Sequence, residues 1–146
     1  MVNTHKVLLY NKLYKVSEYI NILKKYENIS IQEYLSNFET QLAIEGVIQS
    51  IIQIVIRLNY NILSYVNAEK RTRNSDEAFV ELSKCGVISS ELATQLAPFT
   101  GLANHLIYEY YCIDHNRVFE AIKSTLQQYS LYVQQISTYL VSLEAH

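Results

Sequence analysis

Four side chains able to donate, accept or carry a proton fall within seven positions of one another: Asn104, His105, Tyr108 and Tyr110. They lie in the stretch PFTGLANHLIYEYYCIDHNR, Pro98 to Arg117, which also holds Asp114 and His115. An imidazole titrates near neutrality, so either His105 or His115 could move a proton in an acid–base step. The plain alternative for each is an ordinary surface or capping histidine. A phenol, titrating near pH 10, is a poor proton shuttle at neutral pH.

Two further groups could serve a site. Glu45 and Gln49 stand four apart in an otherwise apolar segment, so on a helix they share a face. They read either as a satisfied core pair or as polar groups looking into a site. Lys70, Arg71 and Arg73, in the run AEKRTRNS, are the densest cations in the chain. Such a loop is either simply solvated or a contact for phosphate.

Other chemistries are excluded by what is missing. There is no serine–histidine–acid set, Walker loop, dinucleotide-binding glycine pattern or HExxH helix, and the three glycines are spread as helix punctuation. Cys85 and Cys112 lack the close pairing of a zinc site and read as packed core thiols in a reducing cytoplasm. No metal or cofactor is expected. The net charge of -2 argues against a general positive field, so any RNA contact must be local. The longest apolar run, Gly46 to Ile56, stops at Arg57, short of a membrane span. Thirteen tyrosines and no tryptophan suit interfaces and polar-lined helix seams.

The elements that must position these residues all carry helical spacing. From about Thr4 to Glu27, Leu9, Leu13, Val16, Ile20 and Leu23 alternate steps of four and three, forming one stripe. Ser30 with Glu33 makes a capping box, predicting a second helix from Ile31 to about Asn59. Its first half carries the stripe Tyr34, Leu35, Phe38 and Leu42, and its second half is apolar nearly all round, which demands neighbours on several sides. Ser75 or Asp76 caps a short helix ended by Gly86, and Ser89 begins a fourth. Pro98 predicts a kink within that fourth helix, which carries the Asn104–Tyr110 positions. Asp114 caps a last helix, Asn116 to about Leu143, with Val118, Ile122, Tyr129, Tyr132, Ile136, Tyr139 and Leu143 inward. The 146 residues suit one domain, an all-α antiparallel bundle of four to five helices.

The runs LAPFTGLANHLIYEYYCIDHNRVFEAI, QLAIEGVIQSIIQIVIRLN and SDEAFVELSKCGVIS closely resemble the HepT-like branch of the HEPN superfamily, over nearly the whole chain. The resemblance implies a cytoplasmic all-α homodimer, a metal-independent ribonuclease toxin, and a nucleotidyltransferase antitoxin of the MntA type that attaches AMP to a motif tyrosine. It also implies roles by position. The family arginine, which steadies charge on the phosphate, falls on Ala103; the asparagine on Asn104; the histidine, the general acid or base, on Tyr108; and the modified tyrosine on Tyr110. Glu45 matches the family glutamate, while the acidic residue one turn later is Gln49.

Ala103 supplies neither charge nor donor, and Tyr108 replaces an imidazole by a phenol. The expectation is therefore a HepT-like scaffold with little or no ribonuclease activity, kept as a partner or AMP-transfer substrate of the antitoxin through Tyr110. Two other readings stand beside it. One is a still-active ribonuclease with groups relocated to His105 and to Arg71 or Arg73. The other is a non-catalytic dimer that binds RNA or a nucleotide such as ATP or AMP.

Overall fold

The computed structural model describes residues 4–66 and 74–144, and every regular element among them is an α-helix. Lys70, Arg71 and Arg73 lie outside the described residues. The helices are α1 (Thr4–Lys24), α2 (Ile31–Ser36), α3 (Phe38–Tyr65), α4 (Ser75–Lys84), α5 (Ser90–Leu96), α6 (Phe99–Tyr108) and α7 (His115–Glu144).

Two breaks turn the expected five helices into seven. At Asn37 the backbone becomes extended and the side chain accepts the Thr40 N–H at 3.1 Å, so Asn37 caps α3 and ends α2. Buried Gln41 then donates to the Tyr34 and Leu35 carbonyls at 2.9 and 3.2 Å, pairing groups that the end of α2 leaves open. This break overturns the stripe expected across it. Tyr34 is buried, but Leu35, Phe38 and Leu42 face outward: Leu35 belongs to α2, and Phe38 and Leu42 lie off the Gln41, Ile44 and Ile48 face that α3 buries. The second break is at Pro98, where a missing N–H and a crowding ring stop α5 and start α6 instead of kinking one helix.

The capping chemistry elsewhere is local. Ser30 accepts the Glu33 N–H at 3.1 Å and Ser89 accepts the Leu92 N–H at 3.1 Å. Asn74, rather than Ser75 or Asp76, caps α4 by accepting the Glu77 N–H at 2.9 Å. Gly86, with φ of 76°, closes α4 in the left-handed conformation that only glycine adopts without strain. There Val87 N–H reaches the Leu82 carbonyl at 2.9 Å, the long bond of a glycine-terminated helix.

α3 is the centre of the bundle, packed on α1, α4, α6 and α7, while α7 also packs on α1 and α5. By length and composition alone α3 would suit a membrane crossing, which the apolar run ending at Arg57 did not suggest. Its inward face, from Gln41 and Ile44 to Ile62 and Leu63, is buried on protein, as in a core helix. The stripe of α1 is buried in full, and α7 buries Val118, Ile122, Tyr129, Tyr132 and Ile136, with Tyr139 and Leu143 at the margin. Both cysteines, expected in the core, are exposed free thiols.

Candidate functional site

α6 carries most of the expected site and is short for a reason. It starts at Pro98 without a side-chain cap and ends after ten residues, where the Glu109 N–H closes on the His105 carbonyl at 2.9 Å. Tyr110 therefore stands in the turn after the helix, not on the helix with Tyr108 as expected. His105 holds that turn. Its Nε2 accepts the Asp114 N–H at 2.9 Å, which puts the neutral ring's proton on Nδ1, 3.6 Å from the Glu109 carboxylate. The Asp114 carboxylate then accepts the Arg117 N–H at 3.2 Å and opens α7. Buried in this role, His105 lines neither of the clefts below.

Along α3, Gly46, Gln49, Ser50, Gln53 and Arg57 interrupt an apolar helix at steps of one, three or four, so they share one edge. That edge faces α6, and the two helices run in opposite directions with two clefts between them. In the first, of about 510 Å³, Phe38, Leu42, Glu45 and Gln49 meet Tyr110, Tyr111 and His115. In the second, of about 520 Å³, Ser50, Gln53 and Arg57 meet Ala103, Asn104, Ile107 and Tyr19 of α1.

The chemistry of the two clefts differs. Burial raises the Glu45 carboxyl above its ordinary value, and the positive charge that His115, and then His105, carries when protonated opposes that rise. His115 Nδ1 lies 3.3 Å from the hydroxyl of Tyr34. Burial, and then the Glu45 charge, push that phenol far above its ordinary range. A phenol held protonated donates to Nδ1, so a neutral His115 carries its proton on Nε2. The first cleft is thus an acid and an imidazole walled by exposed aromatic rings. The second is a cation surrounded by amides and a hydroxyl.

Residues 16–136 match the family model described as Ribonuclease HepT-like. The chain belongs to this family. Over 144 residues, covering 99% of this chain and 97% of the relative, it is 47% identical to the tRNA nuclease HepT of Aphanizomenon flos-aquae (strain 2012/KM1/D3). Its fold is similar to that of a tri-AMPylated Shewanella oneidensis HEPN toxin solved in complex with an MNT antitoxin. That match has a TM-score of 0.79 at 17% identity and covers 94% of this chain and 99% of that one. The Bacillus subtilis cytosolic protein YutE, of unknown function, gives 0.71 at 14% identity, over 91% of each chain.

The four positions expected to carry the motif do not gather at one point. Ala103 is 3% exposed and offers only a methyl group beside Asn104 in the second cleft. Tyr108 is 72% exposed and lines neither cleft. Tyr110, 74% exposed, joins Glu45 and Gln49 in the first cleft, with its ring edge-on to Tyr111 at 5.9 Å. Reading the sequence missed Arg57, Ser50, Gln53 and Tyr111. The signal for the α3 residues was present, since small and polar positions recur on one edge of an apolar helix.

Proposed function

We propose that this chain is the HepT-like partner in a toxin–antitoxin pair, that its own ribonuclease chemistry is weak or lost, and that Tyr110 accepts AMP from a nucleotidyltransferase antitoxin. One observation supports the reading: Ala103, where the resemblance puts a charge-stabilising arginine, is buried, and Tyr108, where it puts a proton-transferring histidine, is exposed. Without that arginine and that histidine, neither proton transfer nor a fixed cation at the scissile phosphate is supplied from α6. Tyr110, by contrast, is exposed on a turn braced by His105, as an acceptor for a bulky enzyme must be. The tri-AMPylated Shewanella toxin and its MNT antitoxin support both the modification and the partner.

The pair acts in the cytoplasm, where the exposed thiols Cys85 and Cys112 stay reduced. The chain works as a homodimer, supported by the exposed Phe38, Leu42, Tyr108, Tyr110 and Tyr111, an aromatic surface of the kind that protein interfaces cover. Incubation with the cognate nucleotidyltransferase and ATP tests the modification. Peptide mass spectrometry is expected to find AMP on Tyr110, and Tyr110→Phe to remove it; an unmodified Tyr110 would overturn the assignment.

A second reading is favoured by the 47% identity to a protein named as a tRNA nuclease. In that reading the chain still cleaves RNA with groups from outside the motif, among which Arg57 is the cation present in the Ala103 cleft.

A further inference from the structure

The α3/α6 groove reverses its chemistry along its length. Glu45 marks the end beside Tyr110, and Arg57, twelve residues on and so about 18 Å along the helix, marks the end beside Asn104. Arg57 is exposed, and among the described residues it has neither a hydrogen-bond partner nor an ion-pair partner. Around it the cleft presents the Gln53 and Asn104 amides and the Ser50 hydroxyl, with Ala103, Ile54 and Ile107 as an apolar floor. None of the residues lining this cleft is acidic.

A second cation stands near this end. Lys12 of α1 is hydrogen-bonded to the Asn61 side chain, one turn beyond Arg57 on α3. Arg57 and Lys12 thus put two positive charges near this end of a chain whose net charge is -2.

We propose that the cleft between Arg57 and Asn104 is a phosphate-binding site, with Arg57 as its anchoring cation. A guanidinium presents a planar fork of donors that matches two phosphate oxygens. Amide and hydroxyl side chains such as Gln53, Asn104 and Ser50 are typical partners for the oxygens that remain. Tyr19 also lines this cleft, and an aromatic side chain of this kind is a stacking partner for a base. Phosphate of this kind comes either from the backbone of single-stranded RNA or from a free nucleotide such as ATP. Binding here needs no proton transfer and so persists in a chain that does not cleave. The proposal deepens the function given above, which supplies both ligands, but its test fails independently of AMP transfer to Tyr110.

The test is a fluorescence-anisotropy titration of the full chain with a short labelled single-stranded RNA, and a parallel titration with a fluorescent ATP analogue, each repeated over a salt series. Arg57→Gln is compared with Lys84→Gln, which removes the same charge from the exposed end of α4. Arg57→Gln is expected to weaken binding at least about tenfold at low salt and to lower the salt slope by about one. Lys84→Gln should change neither. A loss confined to the RNA arm assigns the site to a phosphodiester, and a loss confined to the ATP arm assigns it to a free nucleotide. Equal behaviour of the two variants, or no binding of either ligand by the unmodified chain, overturns the proposal. Because Arg57 is exposed, unchanged thermal unfolding of Arg57→Gln serves as the folding control, and Arg57→Lys should restore the salt slope without restoring full affinity.

Discussion

His105 accepts the backbone N–H of Asp114 through Nε2 at 2.9 Å, tying the last turn of α6 to the cap of α7 across the loop that displays Tyr110. A buried histidine in the middle of a site stretch thus acts as a brace. His105→Leu keeps the apolar contacts but leaves that N–H without its acceptor, which costs about 1–3 kcal/mol. Faster hydrogen exchange at the Asp114 amide and slower AMP transfer to Tyr110 are expected together. His105→Gln, which can place an acceptor near the same spot, should recover part of both. Unchanged exchange in His105→Leu would contradict the brace.

Glu45 gives a pH-dependent prediction. Its carboxyl is raised by burial, so the folded chain holds this proton more readily than the unfolded chain does. Stability from this group is fully present below its ordinary value and falls as pH rises through the raised one. Glu45→Gln removes the charge that the fold disfavours. It should be more stable than the unmodified chain at pH 7, by less than about 1 kcal/mol because the group is only half-buried, and equal to it near pH 4. Denaturant midpoints at the two pH values check both the sign and the window.

Tyr132 donates to Asn59 Oδ1 at 2.6 Å between α7 and α3, with both residues fully buried. Tyr132→Phe leaves Asn59 unpaired in the core, and a loss of about 1–3 kcal/mol is expected in urea unfolding. Removing both polar groups in Tyr132→Phe with Asn59→Leu should be less destabilising than the single change. Strict additivity of the two single variants would show that the bond carries no coupling.

The fold was legible in the sequence where one periodic stripe runs unbroken along a whole helix. Leu9 to Leu23 and Val118 to Ile136 are such stripes, and both are buried as spaced. It was less legible where a small polar residue decides the chain's direction. Asn37 has the same composition cue as any helical asparagine, and its cap on the Thr40 N–H, with the pairing of Gln41 to the carbonyls of Tyr34 and Leu35, makes it a break. The site shows the same division. Linear spacing gives Ala103, Asn104, Tyr108 and Tyr110, but α6 ends at Tyr108, so the four positions spread over two clefts and an exposed surface. Arg57 lies 46 positions before Ala103 in the chain, and only the antiparallel packing of α3 on α6 brings it to the same cleft.

RNA cleavage is the direct readout of a scaffold that persists while the chemistry of α6 does not. Purified chain is assayed on tRNA beside the double variant Ala103→Arg, Tyr108→His; an arginine side chain leaving position 103 has the adjoining cleft of about 520 Å³ to enter. A general acid–base group alone contributes a factor of about 100 to 10,000, and a fixed cation adds to it. Little or no cleavage is expected from the unmodified chain, and a gain of at least about 100-fold from the double variant. Strong cleavage by the unmodified chain, unchanged in the double variant, would contradict it.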